Sequence, residues 1–224
     1  MPKVIFLSKT TSVCAAAEAF ATQLFAGDMA VVKGRVGDPM PSALLTFKGQ
    51  ILLSFLSPWI IPAAVLQPPA LLAVNFHPGP PEYPGTGCYN FALYDGVERY
   101  GVVAHLMLPK VDTGTIVGCR YFPVTPQETV VSLKNRSMEQ LLALFKETAS
   151  LLASGKPLPA IRDQWKRVPY TRRELNDLCR LEASMSRQEV CRRVRALAFP
   201  GAPGAYYELH GIRFEHIARD EESR

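Results

Sequence analysis

The chain has no apolar run long enough to cross a membrane. Its most hydrophobic stretch, residues 51–72, is broken by Pro58, Pro62, Pro68 and Pro69, whereas a spanning helix needs about eighteen or more uninterrupted apolar residues. At the N-terminus, Val4-Ile5-Phe6-Leu7 is followed at once by Ser8, Lys9 and Thr10. That apolar core is too short for a secretory signal, so a cytoplasmic location is expected. Cysteine is scarce and unpaired: Cys14, Cys88, Cys119, Cys179 and Cys191 are odd in number and form no CxxC pair. This argues against a disulfide framework and against a zinc site, and reads the thiols as reduced, mostly buried filler with no metal role. Charge is not blocked and no segment repeats, so the signature of disorder is missing as well.

What remains is an ordinary globular composition. With 224 residues, 48% hydrophobic and 20% charged, the chain fits one principal domain of roughly 100–200 residues and a short additional segment. The net charge of +5 is a mild surplus that suits an anionic partner. Much of it falls late, at Arg172, Arg173, Arg180, Arg187, Arg192, Arg193 and Arg195. That stretch reads as a solvated helix surface, because aromatic interleaving of the kind found in nucleic-acid grooves is weak there.

The first half alternates strand-like and helix-like segments. Strands are expected at residues 4–7, 30–33, 51–55, 71–76, 101–108 and 115–123, with helices at 11–25 and 89–94. Continuous apolar runs separated by crossovers imply an α/β fold, a mostly parallel sheet with helices on both faces. Residues 34–48 are too rich in Gly and Pro for a full helix, so one layer should be trimmed. The second half turns helical. Ser137 with Gln140, Thr171 with Glu174 and Ser186 with Glu189 read as capping boxes opening three helices, the first ending near Gly155. Residues 156–170, with Pro157, Pro159 and Pro169, read as a linker, and His210-Gly211 as the turn of a hairpin. The expected division is a catalytic domain over 1–155 and an extension over 156–224.

The chemistry concentrates between Leu71 and Ile116. An apolar strand ends in Asn75-Phe76-His77, and residues i and i+2 of a strand share a face. Asn75 and His77 therefore project together at the carboxyl end of a buried strand, where open α/β sheets place ligands. Pro78, Pro80 and Pro81 stop the strand, and Gly79, Gly85 and Gly87 let the next loop turn closely. An amide donor beside an imidazole suits acyl transfer to an amine. The amide can meet charge developing on a carbonyl oxygen, and the imidazole can take and return a proton. Asp112, in Val111-Asp112-Thr113-Gly114, becomes more than a turn residue only if it lies against His77 to orient the ring. Spacing alone does not bring them together.

The Asn75-Phe76-His77-Pro78 segment, the glycines after it and the Asp112-Thr113-Gly114 turn together resemble the folate-dependent formyltransferases, over roughly Val4 to Pro123. That family includes glycinamide ribonucleotide, methionyl-tRNA and sugar N-formyltransferases. The resemblance implies a Rossmann-like domain using 10-formyltetrahydrofolate, with Asn75, His77 and Asp112 as the catalytic triad. It also implies cofactor contacts from the loop Phe55 to Ile61, chiefly Ser57, Trp59 and Ile61, and from Val111 and Thr113. Many relatives have a Thr two residues before a His on the strand leading to the Asp loop; here these positions are Val103 and His105. Tyr83, Tyr89 and Asn90 follow the motif and are the candidates for acceptor contacts. The Pro-rich loop and the lack of a full C-terminal barrel look most like a sugar-nucleotide N-formyltransferase, with a nucleotide-linked amino sugar as acceptor. The alternatives are a methionyl-tRNA formyltransferase, which would bind tRNA, an enzyme acting on another small amine such as glycinamide ribonucleotide, and a folate- or nucleotide-binding protein without catalysis. A homodimer formed through the C-terminal extension is a further expectation.

Overall fold

The computed structural model describes residues 3–159 and 161–218. A six-stranded sheet forms the frame: β1 (Val4–Lys9), β2 (Met29–Gly34), β3 (Ile51–Phe55), β4 (Leu72–His77), β5 (Arg99–Leu106) and β6 (Ile116–Pro123), in the order β2-β1-β3-β4-β5-β6. The first four strands are parallel, and β5 and β6 are antiparallel to their neighbours. This is the expected mostly parallel α/β sheet.

Strand alternation divides the core into two layers. Phe6, Phe55 and Phe76 face α1 (Ser12–Leu24) and α5 (Val130–Ala153), where all three meet Phe145, with ring centroids 4.9–5.7 Å apart. On the opposite face, Ile5, Leu7, Leu52 and Ala73 are covered by two one-turn helices, α2 (Ser42–Leu45) and α3 (Ala63–Leu66), and their loops. This is the trimmed layer that Gly and Pro in residues 34–48 announce. Since β4 alternates, Asn75 and His77 fall on this thinly covered face, beyond the end of its apolar packing.

A second core lies where α4 (Cys88–Asp95), α6 (Arg172–Cys179) and α7 (Arg187–Leu197) meet Tyr100, Phe122, Val130 and Leu133. The segment between α5 and α6 lies against the sheet's end. Trp165 donates to the Gly114 carbonyl at 2.8 Å, Lys166 N–H to Pro81 O at 2.9 Å, and Tyr170 N–H to Pro84 O at 2.8 Å. A hairpin of β7 (Tyr206–Leu209) and β8 (Ile212–Glu215) turns at His210-Gly211, both with positive φ, as its sequence suggests. No helix among the described residues is long and apolar enough to cross a membrane.

One helix start differs from expectation. The helix assigned to Ser137 begins a full two turns earlier, at Thr129, whose hydroxyl accepts from Ser132 N–H while Ser132 Oγ accepts from Thr129 N–H. Serine closes this box in place of the usual Glu or Gln, which hid it. Ser137 is buried mid-helix and donates back to Leu133 O at 2.7 Å. The Thr171–Glu174 box forms in full, while Ser186 caps α7 but Glu189 turns to Arg192, Arg193 and Tyr94.

Candidate functional site

Three neighbouring strands set the site in one row. Ser54 on β3 is in register with Asn75 on β4, and Asn75 with His105 on β5. Ser54 Oγ donates to Asn75 Oδ1 at 2.8 Å, which turns the amide nitrogen toward His105 Nε2, 3.0 Å away. That bond uses one of the two N–H groups of Nδ2 and leaves the other for a ligand.

Asp112 arrives from the β5–β6 loop and joins the two histidines. Its Oδ2 lies 3.2 Å from His77 Nδ1 and its Oδ1 3.2 Å from His105 Nε2; Gly85 N–H donates to Oδ2 at 2.8 Å. The approach needs unusual backbone. Asp112 has φ 47°, a left-handed conformation that Asp tolerates better than most residues. Gly114 two residues on sits so close to β5 that a Cβ there would fall 1.7 Å from Leu106 O. Burial pushes the Asp112 carboxyl upward, but His77, His105 and the Gly85 N–H outweigh it and hold the group well below the usual carboxylate range.

Both ring nitrogens of His77 face oxygens that only accept: Asp112 Oδ2, and the Tyr83 carbonyl 2.9 Å from Nε2. The imidazolium makes both bonds and the neutral ring makes one, so the site accommodates either state with a defined change of partners. His105 is held at Nδ1 by Leu106 O at 2.8 Å. A carbonyl cannot donate, so that nitrogen carries a proton; Nε2 accepts from Asn75 when the ring is neutral and donates to Asp112 Oδ1 when the ring is the imidazolium. Trp165 packs edge-on to both imidazoles, with centroids 6.0 Å from His77 and 5.2 Å from His105.

The row opens into a cavity of about 520 Å³. Ser57, Trp59, Ile61 and Val111 line it with Asn75, His77 and Asp112. Trp59 is pinned by Nε1 to the carbonyls of Asp38 and Pro39, and its ring rests on Gly34, where a Cβ would come within 2.3 Å. Ile61 is 3% exposed and packs into the trimmed layer while edging the cavity. Thr113 is outside the lining; its hydroxyl donates to Lys110 O. Ile60 and Leu108 are exposed at the rim, and Leu56 in the wall takes a left-handed φ of 55°. Apolar walls, a few polar groups and this volume fit a flat heterocycle with a polar edge. Cys88 also borders the cavity, but burial pushes its thiol up to about 12, so it is no nucleophile near neutral pH.

The other residues singled out by sequence lie elsewhere. Tyr83 is buried, with its hydroxyl donating to Asp95 Oδ2 at 2.8 Å; only its carbonyl reaches His77. Tyr89 and Asn90 border a neighbouring cavity, and Asn90 Nδ2 donates to Ala196 O. Val103 is buried opposite His77 in register. Sequence reasoning missed Ser54 and Trp165. A lone Ser within the apolar run Ile51–Phe55 was a usable signal for the first; a Trp in a Pro-flanked linker gave none.

Residues 50–148 match the family model described as "Formyl transferase". Among curated proteins, methionyl-tRNA formyltransferase of Synechococcus sp. (strain JA-3-3Ab) is 28% identical over 70% of this chain and 48% of its own length; that of Porphyromonas gingivalis (strain ATCC BAA-308 / W83) is 26% identical over 70% and 50%. The chain thus spans about half the length of these relatives. Among solved structures, a sugar N-formyltransferase from Shewanella sp FDAARGOS_354 superposes with a TM-score of 0.77 over 96% of both chains at 15% identity. The N-formyltransferase from Helicobacter canadensis, in complex with folinic acid and dTDP-3-aminofucose, gives 0.72 over 94% of this chain and 85% of its own at 14% identity. At such identities these structures speak to the fold. The matched segment contains Asn75, His77 and Asp112.

Proposed function

We propose that this protein transfers a formyl group from 10-formyltetrahydrofolate to the amine of an amino-sugar nucleotide, with Asn75, His77 and Asp112 as the catalytic residues. The observation that carries the chemistry is the Asn75–His105–Asp112–His77 row, opening into one cavity with an apolar wall. The folate, when bound, supplies the activated formyl carbon, and Ser57, Trp59, Ile61 and Val111, which line the cavity, would hold it; Thr113 supports that loop through Lys110 O. The free N–H of Asn75 Nδ2 donates to the formyl oxygen as negative charge develops there. The attacking amine gives up a proton to the His77–Asp112 pair. His77 alternates between one and two hydrogen bonds as it takes that proton and passes it to the departing nitrogen.

Two observations favour a sugar nucleotide as acceptor. The fold superposes on 96% of a solved sugar N-formyltransferase, with a TM-score of 0.77. Three of the seven late arginines, moreover, are engaged within the chain by side-chain hydrogen bonds. Arg192 and Arg193 bind Glu189, Arg193 also bonds the carbonyls of Asp177, Leu178 and Arg180, and Arg195 reaches Glu128 O. The sequence relatives keep methionyl-tRNA as the second reading. A panel assay with 10-formyltetrahydrofolate, several amino-sugar nucleotides and charged methionyl-tRNA decides between them. Formylation of a sugar nucleotide is expected, and consumption of donor only with tRNA overturns the acceptor. His77→Ala and Asn75→Ala should each lower turnover about 100-fold or more while the protein stays folded by circular dichroism. A fully active double variant would sink the catalytic assignment.

A further inference from the structure

Ser54 is the one polar side chain in β3, and at 3% exposure its hydroxyl is costly to bury without a hydrogen bond. It borders the cavity, between its register neighbours Leu7 on β1 and Asn75 on β4. The Leu7 side chain offers a hydroxyl nothing. Among the described residues the one hydrogen bond of Ser54 Oγ is its 2.8 Å donation to Asn75 Oδ1.

That bond settles what shape leaves open. The two ends of a carboxamide are nearly alike in size, so packing does not decide which end of Asn75 meets His105. Polarity does. Leu106 O can only accept, so His105 Nδ1 carries a proton and Nε2 of the neutral ring offers its lone pair to Asn75 Nδ2. Asp112 Oδ1, 3.2 Å from the same Nε2, pulls the other way, because a carboxylate favours a proton there. With that proton in place the amide N–H faces another donor, and turning the amide over relieves the conflict. Oδ1 then accepts from His105, and an oxygen faces the cavity where an N–H had been. Ser54 opposes the turn. Its hydroxyl hydrogen would lose Oδ1, its one acceptor among the described residues, a loss that disfavours the turned amide by about tenfold or more. Granting Asn75 the role of oxyanion donor given above, we propose that Ser54 is a positioning residue for formyl transfer. It acts through Asn75, holding the amide with an N–H toward the formyl oxygen.

Ser54→Ala and Ser54→Thr test this. Alanine removes only the oxygen, so the fold should persist by circular dichroism, while threonine keeps the hydroxyl and suits a strand. The first measurement needs no turnover: solvent exchange of the Asn75 side-chain amide hydrogens, followed by NMR and assigned by their loss in Asn75→Ala. Exchange should be at least about tenfold faster in Ser54→Ala than in the wild type, and close to wild type in Ser54→Thr. In turnover, read with whichever amine the panel assay identifies, Ser54→Ala should lower kcat about tenfold or more while the KM for the formyl donor stays within about twofold. Ser54→Thr should restore most of that kcat. A wild-type Asn75 amide that exchanges like free asparagine, exchange unchanged in Ser54→Ala, a kcat unaffected by alanine, or threonine as slow as alanine would each overturn the proposal. Failure of every acceptor in the panel would overturn the catalytic reading of Asn75 instead, while the exchange measurement still decides whether Ser54 holds the amide.

Discussion

At the residue scale, Asp112 is constrained in both backbone and side chain. It is buried, its backbone is left-handed, and its two oxygens are divided between His77 and His105. Its folded pKa lies below the unfolded carboxylate value of about 4. Its stabilising contribution is therefore complete above that pH and is lost as pH falls toward the folded value. Thermal unfolding midpoints measured from pH 7 downward should drop below about pH 4 in the wild type, and less steeply in Asp112→Asn, which has no such proton to gain. Equal slopes for the two proteins would mean that the histidine contacts do not govern this carboxylate. Asp112→Asn should also lower turnover, since an amide cannot accept from both imidazoles as a carboxylate does.

At the element scale, the β5–β6 loop is built around Gly114. Alanine there would drive its Cβ into the Leu106 carbonyl, so Gly114→Ala should cost at least about 2 kcal/mol in denaturant unfolding. An unchanged midpoint would show that the loop yields more easily than its packing suggests. Strand positions were legible because apolar runs of five or six residues bounded by Gly and Pro have few other readings: β3 fell on residues 51–55 as expected, and β1 and β4 within two residues. The start of α5 was not, because Ser132 closes its cap and the local pattern at Ser137 mimics a box inside the helix. The pairing of Asn75 with His77 followed from a period of two, a local rule. The contacts of Asp112 and His105 depend on chain reversal across β5 and β6, and no local rule reaches that far.

At the scale of the whole molecule, the C-terminal hairpin leaves Leu209, Ile212, Phe214 and Ile217 exposed. It is tethered to the body by Tyr206 O accepting from Leu181 N–H at 2.7 Å, and by a bridge to Arg180. A two-stranded ribbon is only marginally stable by itself, which supports the proposed homodimer through this extension. Sedimentation velocity should show a dimer that Ile212→Ser with Phe214→Ser converts to monomer; a monomeric wild type at micromolar concentration would remove that role.

Trp165 comes from outside the matched segment, yet it is the ring against which both site histidines rest. Its indole is moored to Gly114 O, the carbonyl beside the turn that delivers Asp112. The segment between α5 and α6 thus acts as a buttress for the row of side chains on β4 and β5. The family match ends at residue 148, so one of the groups that hold both imidazoles in place lies beyond it. Evolution or engineering that exchanges the C-terminal third for another would replace part of the site's scaffolding along with whatever that third recognises.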